Sequence, residues 1–200
     1  MSAGIGRIRN RTALLATLLA TLWGGPGEMG QASASPALGT LHYLTEEYKP
    51  YNFTGEDGTP SGFAIELLHL VWQKTDTPPQ AISILPWARG YYLLTQKPNV
   101  VLFATARTEA RDPLFKWACP IGYAEIVLMG LASHPLKLTR LEDAQQHTIG
   151  AVRADVGEQL LLNNGFDEQK LMTANRLPQA RRMLTSGRVD LISSNKATLM

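Results

Sequence analysis

The segment Val100-Val101-Leu102-Phe103-Ala104-Thr105-Ala106-Arg107-Thr108-Glu109-Ala110-Arg111 runs from an apolar stretch with strand character into a turn that carries a fixed cation. Thr108 has the chemistry of an N-cap, with Glu109 and Ala110 in the first turn after it. Backbone N–H groups and the forked guanidinium of Arg111 would then converge on one point, an arrangement suited to a small carboxylate. Read from this segment alone, a surface ion pair of Arg111 with Asp112 or Glu109 is the alternative, and such pairs contribute little.

A second candidate lies at Ala154-Asp155-Val156-Gly157-Glu158, where Asp155 and Glu158 have the spacing of a capping box at a strand-to-helix turn. The N–H groups of that helix start could meet the same carboxylate from the opposite side. Glu46, Glu47 and Asp155 are the acids that an enzyme would recruit. The four histidines, His42, His69, His134 and His147, have neither a nucleophile partner nor metal-ligand spacing. With no Gly-rich phosphate loop either, no metal and no cofactor is expected. Cys119 is the only cysteine, which excludes an intrachain disulfide; beside Trp117 and Ile121 it reads as a buried apolar position.

The elements that would carry these residues alternate between strand and helix patterns after residue 38, the signature of a largely parallel α/β sheet. Leu41 to Thr45 reads as a first strand, followed by a polar, aromatic loop from Glu46 to Ser61. A helix follows from about Gly62, with Ala64, Leu67, Leu68, Val71 and Trp72 on one apolar face, and Thr77-Pro78-Pro79 stops it. Ala81 to Leu85 is a second strand, Pro86 opens the next helix, and Val100 to Thr105 is the third strand. Glu125 to Ala132 is an apolar extended run. The rhythm then restarts: Thr148–Val152, Val156–Asn164, Leu171–Thr173, Leu177–Ser186 and Asp190–Ser193. Two lobes with a cleft between them follow, and clefts of that kind bind small ligands. The division expected is lobe 1 at 35–125, a hinge strand at 126–132 and lobe 2 at 133–200.

Residues 1–34 have the organisation of an export signal, with Arg7, Arg9 and Arg11 before an apolar run from Thr12 to Trp23 and a small-residue cleavage site ending at Ala34. The run is shorter than the roughly 20 residues of a spanning helix. Three of the 19 basic and one of the 17 acidic residues lie in that segment, which leaves 16 of each in the mature part. A formally neutral chain without a basic stripe is not expected to bind nucleic acid.

The order of elements and motifs resembles the family 3 extracellular solute-binding proteins, the receptors of polar amino-acid ABC transporters. The resemblance spans about Thr40 to Asn195 and rests on Tyr48-Lys49-Pro50-Tyr51, Gly62-Phe63-Ala64-Ile65-Glu66-Leu67, Thr108-Glu109-Ala110-Arg111 and Gly187-Arg188-Val189-Asp190. It implies a type II periplasmic-binding-protein-like fold, two α/β lobes closing over a ligand, with Arg111 on the ligand's carboxylate. Tyr48, Tyr51 and Trp87 match the regions from which this family presents rings to the ligand, and Thr105 and Ala106 lie on the strand end beside Arg111.

Three departures bear on the ligand. Asn195 stands where the family usually presents an acid to an α-ammonium, Ala106 replaces a hydroxyl residue, and Ala64 stands where Asp is frequent. Asn supplies no charge to a buried cation, so a neutral or acidic carboxylate fits better. The second lobe and the return to the first look truncated at Met200, which predicts an uncovered apolar face at Leu177, Ala180 and Leu184 and a poorly stable fragment. The reading is a monomeric periplasmic protein that captures a small carboxylate-bearing solute for an inner-membrane ABC permease and performs no chemistry. A dehydratase-like enzyme on the same scaffold and a ligand-sensing module are the alternatives.

Overall fold

A three-stranded parallel sheet and a four-stranded mixed sheet carry the chain, with a two-stranded hairpin beside them. The structure, a computed structural model, describes residues 37–118 and 120–199. The expected export signal with its cleavage at Ala34, and the buried place expected for Cys119, lie outside those residues.

Strand β1 (His42–Thr45) buries three of its four side chains. A short antiparallel hairpin follows, β2 (Phe53–Thr54) and β3 (Pro60–Ser61), with Phe53 opposite Ser61. It occupies the stretch that reads as plain loop. Its turn is closed by the Asp57 carboxylate, which accepts from the Thr59 N–H at 3.0 Å, and by Gly58 at φ 80°. Such side-chain closures pin two-residue strands that carry too few alternating positions to be recognised by pattern.

Helix α1 (Phe63–Lys74) begins after Gly62, whose φ is 114°; a Cβ there would lie 2.6 Å from the Tyr51 carbonyl, so only glycine fits. Its buried residues are Ala64, Ile65 and Trp72, while Leu67 and Leu68 are half-buried and Val71 is 41% exposed. The expected face is therefore rotated. The Trp72 indole packs edge-on against the Tyr43 ring at 4.9 Å, which turns Ile65 inward and Val71 outward. Strand β4 (Ile82–Ile84), helix α2 (Trp87–Gln96) and strand β5 (Val100–Leu102) complete the first unit. The sheet order is β4-β1-β5, all parallel, with Tyr43 opposite both Ile82 and Val101.

Strand β6 (Ile126–Gly130) opens the second sheet, followed by β7 (Ile149–Val152), α3 (Val156–Asn163), β8 (Leu171–Ala174), α4 (Leu177–Thr185), β9 (Leu191–Asn195) and the short α5 (Lys196–Leu199). The order is β6-β9-β7-β8, with β6 antiparallel to β9 and the other pairs parallel. Ile149, Leu161 and Leu191 belong to one apolar cluster, and Ala180, Leu184 and Ile192 to another. Leu177, Ala180 and Leu184 are 2%, 1% and 5% exposed, so the face expected to lie uncovered is core. Helix α4 lies against β7, β8 and β9, which supply the cover that was expected only from residues beyond Met200. Leu44, Tyr48, Trp87 and Leu102 of the first unit join Val152 and Leu177 of the second in one apolar cluster. Among the described residues, no helix is long and apolar enough to cross a membrane.

Candidate functional site

The chain segments leaving the carboxyl ends of β1, β4, β5 and β7 meet at the boundary between the two sheets, the place where open α/β sheets receive ligands. From β1 come Glu46, 7% exposed, and Tyr48, 8% exposed. The fully buried Asn52 amide donates to the Glu46 carbonyl at 2.7 Å and holds this loop in place. From β4 comes Trp87, which follows Pro86 at the N-cap position of α2. From β5 the chain passes Ala104, at φ 57°, then Thr105 and Ala106, and reaches Arg111. The Thr105 hydroxyl donates back to the Leu102 carbonyl at 2.7 Å.

Arg111 is 1% exposed. Its Nη1 donates to the Ala106 carbonyl at 3.2 Å and its Nη2 to the Ala154 carbonyl at 3.1 Å. The guanidinium carbon lies 5.0 Å from the Trp87 ring centre and 5.2 Å from that of Tyr91, within cation–π range. Its Nε is buried without an acceptor. The alternative surface ion pair is absent, since Asp112 pairs with Arg107 instead. The turn itself differs from the expected helix start. The N–H groups of Arg111 and Asp112 both donate to the Thr108 carbonyl, at 3.0 and 2.8 Å, and the Thr108 hydroxyl is buried without a partner. A single 3₁₀ turn, Asp112–Leu114, follows with Pro113 inside it.

Across the boundary, Ala154 adopts φ 60° between β7 and α3, and Asp155 is 5% exposed. Asp155 caps α3 by accepting from the Val156 N–H at 2.6 Å, the first helical position instead of the third, while the Glu158 carboxylate takes the Ala154 N–H, one residue before the cap, so the reciprocal bonds of a capping box are not formed. Asn195 is 4% exposed, and its Oδ1 accepts from the Ala197 N–H at 3.2 Å, a local bond at the start of α5. Tyr51 is half-buried, its ring centre 6.0 Å from that of Tyr48.

Charge is concentrated here. Burial pushes the Glu46 carboxyl well above the usual carboxylate range; the neighbouring Asp155 adds to this, and Arg111 and Arg176 oppose it. Burial also raises Asp155, against the pull of the Val156 N–H and Arg111. The Tyr48 phenol is raised by burial and by Asp155, although Ser194 and Asn195 hydrogen-bond to it. Arg111 is lowered by burial and supported by Asp155, Tyr91 and Glu46; a guanidinium starts so high that it stays the cation of the cluster.

Arg111, Trp87, Tyr48 and Asp155 thus come together, with Thr105 and Ala106 in the segment that supports the arginine. Three participants escape the sequence reading: Tyr91, the Ala154 carbonyl, and Glu46 as a buried neighbour of Arg111. Glu46 stands in the sequence directly after the first strand, but nothing there marks it as buried beside Arg111. Two open grooves lie elsewhere: one bordered by Gly39, His42, Gln80 and Ser83, the other by Glu47, Phe53, Leu177 and Arg181. Among the described residues, no group of three or more His, Cys, Asp or Glu could hold a metal ion.

No protein-family model and no curated protein matches the chain. Solved structures do. An ancestral arginine-binding protein bound to glutamine is 22% identical with a TM-score of 0.69, over 80% of this chain and 71% of that one. The arginine-, lysine-, histidine-binding protein ArtJ from Geobacillus stearothermophilus is 19% identical with a TM-score of 0.70, over 79% of this chain and 68% of that one. A histidine kinase sensor domain with similarity to periplasmic binding proteins is 19% identical, with a TM-score of 0.69, over 78% of this chain and 68% of that one. The fold is therefore the α/β fold of the type II periplasmic binding proteins.

Proposed function

We propose that this chain is a periplasmic solute-binding protein whose two lobes, 35–125 and 133–200, move about a hinge at 126–132 and close over a small carboxylate-bearing solute. The observation that carries this reading is the Arg111 guanidinium: buried between the two sheets, flanked by the rings of Trp87 and Tyr91, and bonded on the second side only to a backbone carbonyl. A carboxylate is a stronger acceptor for a guanidinium than a neutral carbonyl, and a charged bond in a dry site outweighs its solvated equivalent. An incoming acid would therefore exchange Ala154 for itself on Nη2 and reach the unpaired Nε in the forked geometry that arginine favours. Tyr48 and Tyr51 supply a ring surface on the first lobe, and Asp155 and Asn195 border the site from the second. The protein performs no chemistry; it is exported by a leader cleaved near Ala34, acts as a monomer and delivers its solute to an ABC permease.

Calorimetric titration with a panel of amino acids and dicarboxylic acids, including L-arginine and L-glutamine, tests this. At least one member binds at micromolar concentration and Arg111→Ala abolishes it; binding undiminished in that variant overturns the carboxylate role. The likeness to a histidine kinase sensor domain supports a second reading, in which the same closure reports the solute to a signalling partner.

A further inference from the structure

The Ala154 carbonyl is the most heavily used acceptor at the boundary between the sheets. Trp87 Nε1 donates to it at 2.8 Å and Arg111 Nη2 at 3.1 Å, both from the first unit, while Gln159 Nε2 of its own unit reaches it at 3.4 Å. A carbonyl has two lone pairs, so the two shorter bonds fill it. Ala154 also has φ 60°, a left-handed conformation that residues with a Cβ avoid unless their surroundings impose it. What that conformation does here is to leave the carbonyl bonded to Trp87 and Arg111 across the boundary, while the Ala154 N–H is held by Glu158.

We propose that Ala154 is an internal latch: its carbonyl occupies Arg111 and Trp87 in place of a ligand's oxygen and holds the two halves of the chain shut without solute. Each donor comes from a different element, the start of α2 and the turn after β5, so opening breaks both bonds together. It also strands a guanidinium and an indole N–H that must then find water. The left-handed Ala154 is the counterweight, since opening lets it relax. A solute acid enters only through the unlatched state, and its apparent affinity is reduced by the fraction of time the latch is closed.

The proposal rests on the closing motion of the reading above, yet its test needs no ligand, so the two can fail separately. Small-angle scattering and hydrogen exchange of residues 153–156 are measured on the solute-free full chain. Trp87→Phe keeps an aromatic ring, though a smaller one, and removes the N–H; it is expected to enlarge the radius of gyration and speed exchange at least tenfold. Ala154→Gly adopts the same φ without a Cβ, so it is expected to stay as compact as the parent and exchange severalfold more slowly. Relief of the left-handed backbone by itself also slows exchange in the glycine variant, so the scattering and exchange of Trp87→Phe are what separate a latch from a merely structural role. Unchanged scattering and exchange in Trp87→Phe, or faster exchange in Ala154→Gly, overturns the latch. If Trp87→Phe does not fold, Arg111→Lys, which keeps the charge and loses the Nη2 bond, is read by the same criteria.

Discussion

Glu46 and Asp155 follow strands of different sheets, and both are buried in the same cluster, where the Asp155 charge raises the Glu46 carboxyl. Both carboxyls are raised in the folded state, so their protonated forms are favoured there. Their contribution to stability is complete below the ordinary carboxylate range. It is lost as pH climbs from that range through their raised values. Asp143, held down to about 2 by Thr139 and the Arg140 N–H, has the opposite sign; its contribution exists above pH 4 and disappears as pH falls through its lowered value. Urea denaturation across pH 4 to 8 is expected to show the midpoint falling on the alkaline side, and Glu46→Gln is expected to flatten that fall. An unchanged slope in Glu46→Gln shows that this carboxyl is not protonated preferentially in the fold.

Arg111 is the cation that these two acids share. Its removal leaves buried carboxylates without compensation, a class of change that costs about 3–5 kcal/mol when the partner stays charged. Arg111→Met, which preserves much of the length, is expected to lower stability by that order at pH 8 and by clearly less at pH 4.5, where protonation relieves the acids. Equal losses at both pH values would mean that packing between Trp87 and Tyr91, and not charge, is what the side chain supplies.

Much of this arrangement is visible in the residue order. Strands and helices fall within a few residues of where alternation and helical spacing place them, because apolar faces on a period of 2 or 3.6 are written in side chains. That a fixed cation, Arg111, follows the third strand is legible too, because the residue type is written in the sequence. Its acceptor is not: the Ala154 oxygen is a backbone atom 43 positions away, and every residue has one. Nor is the burial of Glu46 legible, since it depends on the second sheet closing over the end of β1. The loop at 46–61 hid a hairpin whose strands are two residues each, below the length at which alternation carries information.

Gly157 sets how closely α3 approaches β9. A Cβ at this position would stand 2.7 Å from the Ser193 carbonyl and 3.0 Å from its hydroxyl, and that hydroxyl already donates to the Gly157 carbonyl at 3.1 Å. Gly157→Ala must push the helix start away from the strand, at a cost of about 1–3 kcal/mol typical of overpacking. The same shift moves Asp155 and Ala154 relative to Arg111. Thermal unfolding is expected to show the loss, and the radius of gyration the loosened boundary. A variant as stable as the parent would mean that α3 has room that the structure does not show.

The rotation of α1 can be checked by two substitutions on one helix. Helical spacing places Val71 with Ala64, Leu68 and Trp72, yet Val71 is 41% exposed and Ile65, outside that stripe, is 2% exposed. The reason is the edge-on contact of Trp72 with Tyr43, which fixes the helix by its largest side chain. Ile65→Ala is therefore expected to cost about 2–5 kcal/mol, as deletion of a buried aliphatic group does. Val71→Ser is expected to change stability by no more than about 0.5 kcal/mol, the range of an exposed position. If chemical denaturation ranked the two the other way, α1 would sit on the first sheet by the face that periodicity alone selects, and the Tyr43–Trp72 contact would not be what orients it.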